Sequence, residues 1–437
     1  MAAKKFKKGA DAAPAPKAAG NKKNLVLPSR NELAAALMEQ MNHKMRGRAE
    51  ICSASDLSMP YITKRLPSGL LTLDLELRGG FPSCGVSQLV GPKNAGKSYI
   101  YWQVIRQLQA ILGEKMMVLL AMNEMRSDKT QGRKAGVKVA LAQEDIDALD
   151  DARVRNGWPA FTKEERAEMQ EQIGQIHETH AESAELLFDI VLAAVEQNIY
   201  HLIVVDSIAG LESEQESEQE SMTEKVYGGA AKPITQFLRK LTSMFTIRNQ
   251  YGKTRDTCVI VVNQVKDDIG DKTGKGYRTS GGHGLEHAKF VDIYLSSGKM
   301  LGDHVPVYGP NGTSQKFVPW GKEVNWKIEK GKAGIHEGGK GSLNYIFEQN
   351  GMDFYTDTLV AGVQCGVIEV AGSWIGIPDP DAPGNYMVRC QGSEKFTKAL
   401  RDDVVESAQT GEESLMNYIR DQCFKKKDIN ITYKWDQ

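Results

Sequence analysis

Long apolar runs are missing from this sequence: no stretch approaches the roughly 20 residues that a bilayer-spanning helix needs. The segment before Ser29 is rich in Lys, Ala and Pro and lacks the hydrophobic block of a secretory signal. Cysteine is scarce too. The six cysteines (Cys52, Cys84, Cys258, Cys365, Cys390, Cys423) are scattered, and none forms a CxxC pair. That excludes a zinc site built on such pairs and speaks against a disulfide framework, so a reducing, cytoplasmic setting without membrane association is expected. Neither sign of charge is in excess: 55 Lys+Arg against 56 Asp+Glu leave a net charge of −1. Any surface that binds a polyanion must therefore be local.

What is present is an alternation of short β-type runs with helical stretches, which predicts a parallel sheet covered on both faces. Residues 1–28 read as a disordered basic tail, because they hold too few large apolar side chains to offset chain entropy. A helix follows, with Leu33, Leu37, Met41 and Met45 at four-residue steps and a capping box at Ser29–Glu32; it belongs to a segment spanning 29–65. The α/β core is expected over 66–350. A charged surface insertion at about 144–181 opens a helix at Thr162 and is expected to run on, as helix, into Leu186–Val195. Residues 351–437 read as a small α+β C-terminal domain and tail.

The strongest motif is Gly91-Pro92-Lys93-Asn94-Ala95-Gly96-Lys97-Ser98, which matches GxxxxGK[ST] between a β-type run (Val86–Val90) and a helical one (Tyr99–Leu112). Glycines let backbone N–H groups close around phosphate oxygens, and the helix behind them adds the positive end of its dipole. Lys97 would neutralise phosphate charge and Ser98 would ligate Mg²⁺. Leu202–Val205 is an apolar strand that delivers Asp206 to the same sheet edge, as a second carboxylate for the metal. The run Met116–Met122 ends at Asn123-Glu124, where Glu124 could orient and deprotonate a water. Cys258–Val262 ends at Asn263-Gln264, a polar pair placed to sense a γ-phosphate. Each residue alone is more often a solvated strand end; four on one edge are far more specific. His283 and His287 stand four apart, but no third ligand accompanies them and no metal is assigned there.

These motifs come in an order that resembles the RecA family. Ser68–Asp74 followed by Gly79–Ser98 is similar to the family's signature leading into its P-loop. The Leu202–Leu211 strand, Val261–Gln264, Thr279–Gly282, Trp326–Lys332, Asn350–Tyr355 and Ala371–Trp374 then follow in family order. The helix Leu33–Met45 resembles the family's N-terminal oligomerisation helix. The resemblance runs from about Asn31 to about Phe424 and implies a RecA-like P-loop ATPase core with a largely parallel sheet. It gives Glu124 the general-base role, Asp206 the Mg²⁺ role and Gln264 that of a switch between γ-phosphate and DNA. Asp128 matches an adenine-contacting aspartate, and Tyr99 closes the nucleotide segment. Lys330 and Lys332 match lysines that reach the ATP of the neighbouring subunit. A tyrosine of the family is replaced here by Gln131, so base stacking is lost or supplied from elsewhere.

The resemblance also marks two DNA segments behind the Asp206 and Gln264 strands. The first, Met222–Gly229, offers Tyr227 and Gly228, with Lys232 and Arg239 on the helix after it. An acidic run, Glu212–Glu218, precedes it and must point away from phosphate. The second spans Lys266–Gly282 and offers Ile269 as the residue that wedges between bases. With it come Lys272, Lys275, Tyr277, Arg278, Gly281 and Gly282 for backbone and base-face contacts that are indifferent to sequence. The implied activity is a DNA-dependent ATPase that uses ATP and Mg²⁺. Homo-oligomeric helical filaments would form on single-stranded DNA and exchange strands with homologous duplex DNA in recombinational repair. Two other RecA-like classes share the fold. A ring helicase motor would form closed rings, and a non-catalytic mediator would show no DNA-stimulated turnover.

Overall fold

The computed structural model describes residues 29–45, 64–123, 127–213, 231–246, 255–267, 277–279, 285, 287–309, 312–347 and 351–430. The chain divides into two compact units, 1–54 and 55–437. In the first, α1 (Arg30–Met45) begins at the expected capping box. The Glu32 carboxylate accepts from Ser29 N at 2.7 Å, and Ser29 Oγ accepts from Glu32 N at 3.3 Å. Its Leu33 and Leu37 are exposed. The tail reading for 1–28 lies outside the described residues.

The second unit is built around one large sheet, with two smaller ones beside it. Its strands along the chain include β1 (Arg65–Leu66) and β2 (Phe81–Pro82), a small pair of their own, then β3 (Gly85–Gly91), β4 (Met117–Met122), β5 (Gln175–Thr179), β6 (Leu202–Asp206), β7 (Cys258–Asp267) and β8 (Tyr277–Thr279). They continue with β9 (Lys289–Gly309), β10 (Gly312–Gly331), β11 (Lys340–Ile346) and β12 (Gly351–Met352). The sheet order is β12-β11-β10-β9-β3-β7-β6-β4-β5, with β8 paired to the far end of β7. From β9 to β5 every neighbour is parallel; β10, β11 and β12 add antiparallel strands at the other side.

Strand periodicity explains why the central runs are apolar throughout. Leu202 and Val204 of β6 enter one core while Ile203 and Val205 enter the other, and β7 splits Ile260 and Val262 from Val259 and Val261 in the same way. The helices covering the two faces are amphipathic in the matching sense. After α2 (Leu71–Glu76), α3 (Lys97–Leu112) buries Ile100, Trp102, Val104 and Leu108 in the first core. On the same side of the chain order come α4 (Lys129–Lys134), α5 (Gln143–Arg155) and α6 (Lys163–Gln170). The second core is closed by α7 (Ala184–Gln197) and α8 (Ala231–Thr246), whose Phe188 and Phe237 rings stack at 4.2 Å.

The charged stretch at 144–181 is not wholly a surface insertion. Its capping box at Thr162–Glu165 forms as expected. However, Gln175–Thr179 is β5, which pairs with β4 as the edge strand of the main sheet. Nor do the helices run on into Leu186–Val195: α7 starts afresh, with Ser183 Oγ capping Leu186 N. An edge strand has one open side and tolerates polar residues, so Gln175, His177 and Glu178 do not read as a strand by hydrophobicity. His177 on this strand is exposed and also bonded, its Nδ1 lying 2.8 Å from Tyr200 Oη.

At the C-terminal side, α9 (Phe354–Gln364), α10 (Ser393–Thr410) and α11 (Leu415–Lys426) pack with a three-stranded antiparallel sheet, β13 (Glu369–Ala371), β14 (Trp374–Pro378) and β15 (Tyr386–Gln391). Their core also takes in Leu71 and Leu75 of α2. That joint also buries polar groups. Asp74 accepts from Ser68 N and Oγ, both at 2.8 Å, and from Gly69 N at 3.0 Å, while Thr72 donates to Asp357. Burial pushes the Asp74 carboxyl up to about 7 against the pull of the Ser68 and Gly69 donors.

Candidate functional site

The nucleotide motif sits where β3 turns into α3. Gly91 is required by close approach: a Cβ there would lie 2.1 Å from Leu295 O on β9. Gly96 caps α3 in the left-handed region at φ 90°, a conformation that suits glycine. Pro92, Lys93 and Asn94 are exposed, whereas Ala95 is fully buried. The loop thus presents backbone N–H groups at a helix N-terminus, which attracts anions. The Lys97 side chain is buried, and its Nζ donates to Gly91 O at 2.9 Å and Pro92 O at 2.6 Å. Those two carbonyls hold the ammonium at the mouth of the loop.

Register carries the other polar groups to the same edge. Met122 pairs with Asp206, Val90 with Asn263 and Gly91 with Gln264. Asp206 ends its strand as expected, and Ser98 Oγ donates to Asp206 Oδ2 at 3.3 Å across 108 residues of chain. Asn263 and Gln264 are not at a strand end, since β7 continues to Asp267; they lie where its partner β3 stops. Glu124, the proposed base, lies outside the described residues, just beyond the Asn123 that follows β4.

A cavity of about 360 Å³ adjoins the loop, lined by Asn94 to Tyr99, Gln131, Lys322, Val324 and Tyr345. Tyr99 forms a wall of it: its hydroxyl accepts from Met352 N at 3.0 Å, and its ring meets Tyr345 edge-on at 5.3 Å. Asp128 is the N-cap of α4, accepting from Gln131 N at 2.9 Å, and its charge reaches Tyr345. Gln131 therefore occupies the cavity where the family resemblance implies tyrosine.

Two residues of the cavity wall and one buried near Asp206 went unrecognised in the sequence. Lys322 and Tyr345 are direct cross-strand partners on β10 and β11, and Lys322 Nζ donates to Asn94 O at 2.6 Å. Burial lowers the Lys322 pKa and raises that of Tyr345. Tyr101, three residues beyond Ser98, is buried; burial first, and then the charge of nearby Asp206, drives its phenol well above the ordinary range. The Tyr101 position carried a signal, being one turn after the P-loop serine. Lys322 and Tyr345 did not.

Lys330 and Lys332 are not brought to this cavity. At about 3.3 Å per residue, Lys330 lies on the order of 25 Å along β10 from Lys322. Lys332 Nζ instead donates to His287 O at 3.3 Å and lies over the Phe290 ring. Of the residues expected to meet DNA, Lys232 and Arg239 are both exposed, two helical turns apart on α8. The second segment is framed as a hairpin, because Tyr277 and Arg278 of β8 pair with Asp267 and Lys266 of β7. Tyr227, Gly228, Ile269, Lys272, Lys275, Gly281 and Gly282 lie outside the described residues, as do the acidic run from Glu214 and His283. Among the described residues no helix is long and apolar enough to cross a membrane.

A P-loop between a central parallel strand and its following helix, with a carboxylate two strands away at the end of β6, defines a nucleotide-binding α/β protein of RecA-like architecture. A family model described as the RecA N-terminal domain matches residues 167–302. Among curated proteins, Protein RecA of Chlorobaculum parvum is 25% identical over 394 residues, covering 89% of this chain and 92% of that protein. Protein RecA of Thermus aquaticus is 27% identical over 338 residues, covering 77% and 80%. The chain is thus similar to RecA proteins over most of its length.

Proposed function

We propose that this chain is an ATP-dependent homologous recombinase that assembles as a helical filament on single-stranded DNA and exchanges its strand with homologous duplex DNA. The observation that carries the reading is the meeting of Ser98 and Asp206 at 3.3 Å beside the Lys97-bearing loop. The donor set fits ATP and Mg²⁺: a hydroxyl and a carboxylate are hard oxygen ligands, and a buried ammonium stands next to a helix N-terminus. When bound, ATP supplies the γ-phosphoryl group whose hydrolysis drives turnover, with Mg²⁺ offsetting its charge.

The chain's own residues divide the remaining work. Lys97 exchanges its hold on the Gly91 and Pro92 carbonyls for phosphate oxygens. Ser98 and Asp206 take the metal side. Glu124 accepts the proton of the attacking water. Gln264, beside Gly91 on β7, senses the γ-phosphate and passes its state along the strand into the Asp267–Tyr277 hairpin. That hairpin, with Lys266–Gly282 and Met222–Gly229, contacts the DNA. Lys330 and Lys332, remote from the chain's own cavity, complete the site of the next copy, so turnover requires assembly.

The test is ATP turnover with and without single-stranded DNA, followed by a D-loop assay with homologous duplex. Stimulated turnover and D-loop formation support the reading. Unstimulated turnover, or closed rings in electron micrographs, would overturn it in favour of a mediator or a helicase motor. Glu124→Gln should keep ATP and DNA binding and lose most hydrolysis.

A further inference from the structure

Outside the nucleotide site, two thiols in the C-terminal part of the chain are held together. Cys365 ends α9 as its C-cap, its N–H donating to Ala361 O at 2.9 Å. The Cys423 thiol, on the facing α11, points at that same Ala361 oxygen at 3.8 Å, so both cysteines close on one carbonyl. The two differ in access: Cys365 is partly exposed, and Cys423 is fully buried in the C-terminal core. Cations gather on the exposed side. Lys426 Nζ donates to Gly366 O at 2.5 Å, which fixes an ammonium beside Cys365, and Lys427 lies close by on the same helix end.

We propose that Cys365 and Cys423 form a peroxide-reactive dithiol, a modification site in which Cys365 is the attacking sulfur and Cys423 the resolving one. The Cys365 thiolate attacks one oxygen of hydrogen peroxide. The O–O bond breaks, and hydroxide leaves and takes a proton as water, giving Cys365 sulfenic acid. The Cys423 sulfur then attacks the oxidised sulfur. Its proton goes to the departing hydroxyl, a second water leaves and the S–S bond closes. Two thiols lose two electrons, and peroxide gains them.

Access assigns the order, since peroxide reaches the partly exposed Cys365 before the buried Cys423, and the charges nearby agree with it. The hydrogen bond from Cys423, then Lys427 and Lys426, lowers the Cys365 thiol to about 7 against burial and the Glu76 charge. The bond to Cys365, and then burial, raise Cys423, so it stays a thiol until Cys365 is oxidised. Among the described cysteines, Cys365 is the partly exposed one that faces a second cysteine across Ala361 O.

The full chain carries its own comparator, because Cys390 on β15 shares the partial exposure of Cys365. The reduced protein is treated with dilute hydrogen peroxide near neutral pH, quenched by alkylation, and mapped by peptide mass spectrometry. The expected result is loss of the Cys365 thiol at least about tenfold faster than that of Cys390. A linked 365–423 peptide pair that dithiothreitol separates should accompany it. In Cys423→Ser, Cys365 should instead proceed to the sulfinic acid. Equal rates for Cys365 and Cys390, or a sulfinic Cys365 beside a free Cys423 in the unmodified sequence, would overturn the proposal. The peptide map of the unmodified chain decides this whether or not the variant folds.

Discussion

The two halves of strand β10 face different tasks. Near its middle, Lys322 closes over the chain's own P-loop through Asn94, opposite Tyr345 on β11. At its far end, Lys330 and Lys332 leave that cavity on the order of 25 Å behind and, in the proposed function, serve the next copy. One continuous antiparallel strand would thus border two nucleotide sites. Between the two positions the pairing of β10 with β9 shifts register twice, at Lys322/Val324 and at Ile328/Lys330.

The comparison is tested most severely at the P-loop itself. Replacing Lys97 with Ala removes the ammonium held by Gly91 O and Pro92 O, and turnover should fall by at least about 100-fold. The fold should survive, because a loop-mouth lysine contributes little packing; circular dichroism and thermal melting would check that. Unchanged hydrolysis would show that this cavity is not the reaction site.

The other end of β10 gives the next largest effect. Lys330→Ala with Lys332→Ala should also reduce DNA-stimulated turnover by about 100-fold while leaving nucleotide binding to the unassembled chain intact. Mixing these chains with Lys97→Ala chains is the sharper measurement. If the two functions lie on opposite sides of a seam, random assembly makes about a quarter of the seams fully competent, and activity returns to that fraction. If the lysines act within their own chain, the mixture stays inactive.

What the sequence made legible follows from locality. The P-loop is one continuous segment with a required spacing, and Asp206 ends an apolar run that can only be a buried strand. Lys322 and Tyr345 reach the cavity through an antiparallel register between β10 and β11, which no spacing in either segment announces. The edge strand β5 failed for the opposite reason, since its open side lets polar residues stand where strand patterning expects apolar ones. The domain-scale reading of 351 onward missed a physical tie, because Leu71 and Leu75 of α2 complete the C-terminal core.

Tyr345 offers a smaller effect and an answer to the Gln131 substitution. Its ring lines the cavity across from Gln131, and stacking on a base contributes about 1–3 kcal/mol. Tyr345→Ala should therefore raise the KM for ATP about tenfold with a lesser change in kcat, whereas Tyr345→Phe should stay within about twofold. A KM unaffected by removal of the ring would place the base elsewhere.

The smallest expected effect concerns Lys322, and it is the one that pH can isolate. The ammonium is tied to Asn94 O and stands at the edge of the cavity, so Lys322→Met should raise the KM for ATP only about threefold. Burial lowers the Lys322 pKa, which means its charge is lost at a lower pH than that of a free lysine, near 10.4. The favourable charge is complete at neutral pH and declines as pH rises toward the ordinary lysine range. The KM of the unmodified protein should therefore climb with pH toward that of Lys322→Met, and the ratio between them should shrink toward one. Measuring both KM values from neutral to alkaline pH, with folding followed in parallel, tests the assignment. A ratio that stays constant would mean that Lys322 acts by holding Asn94 and β10 in place, with no part for its charge.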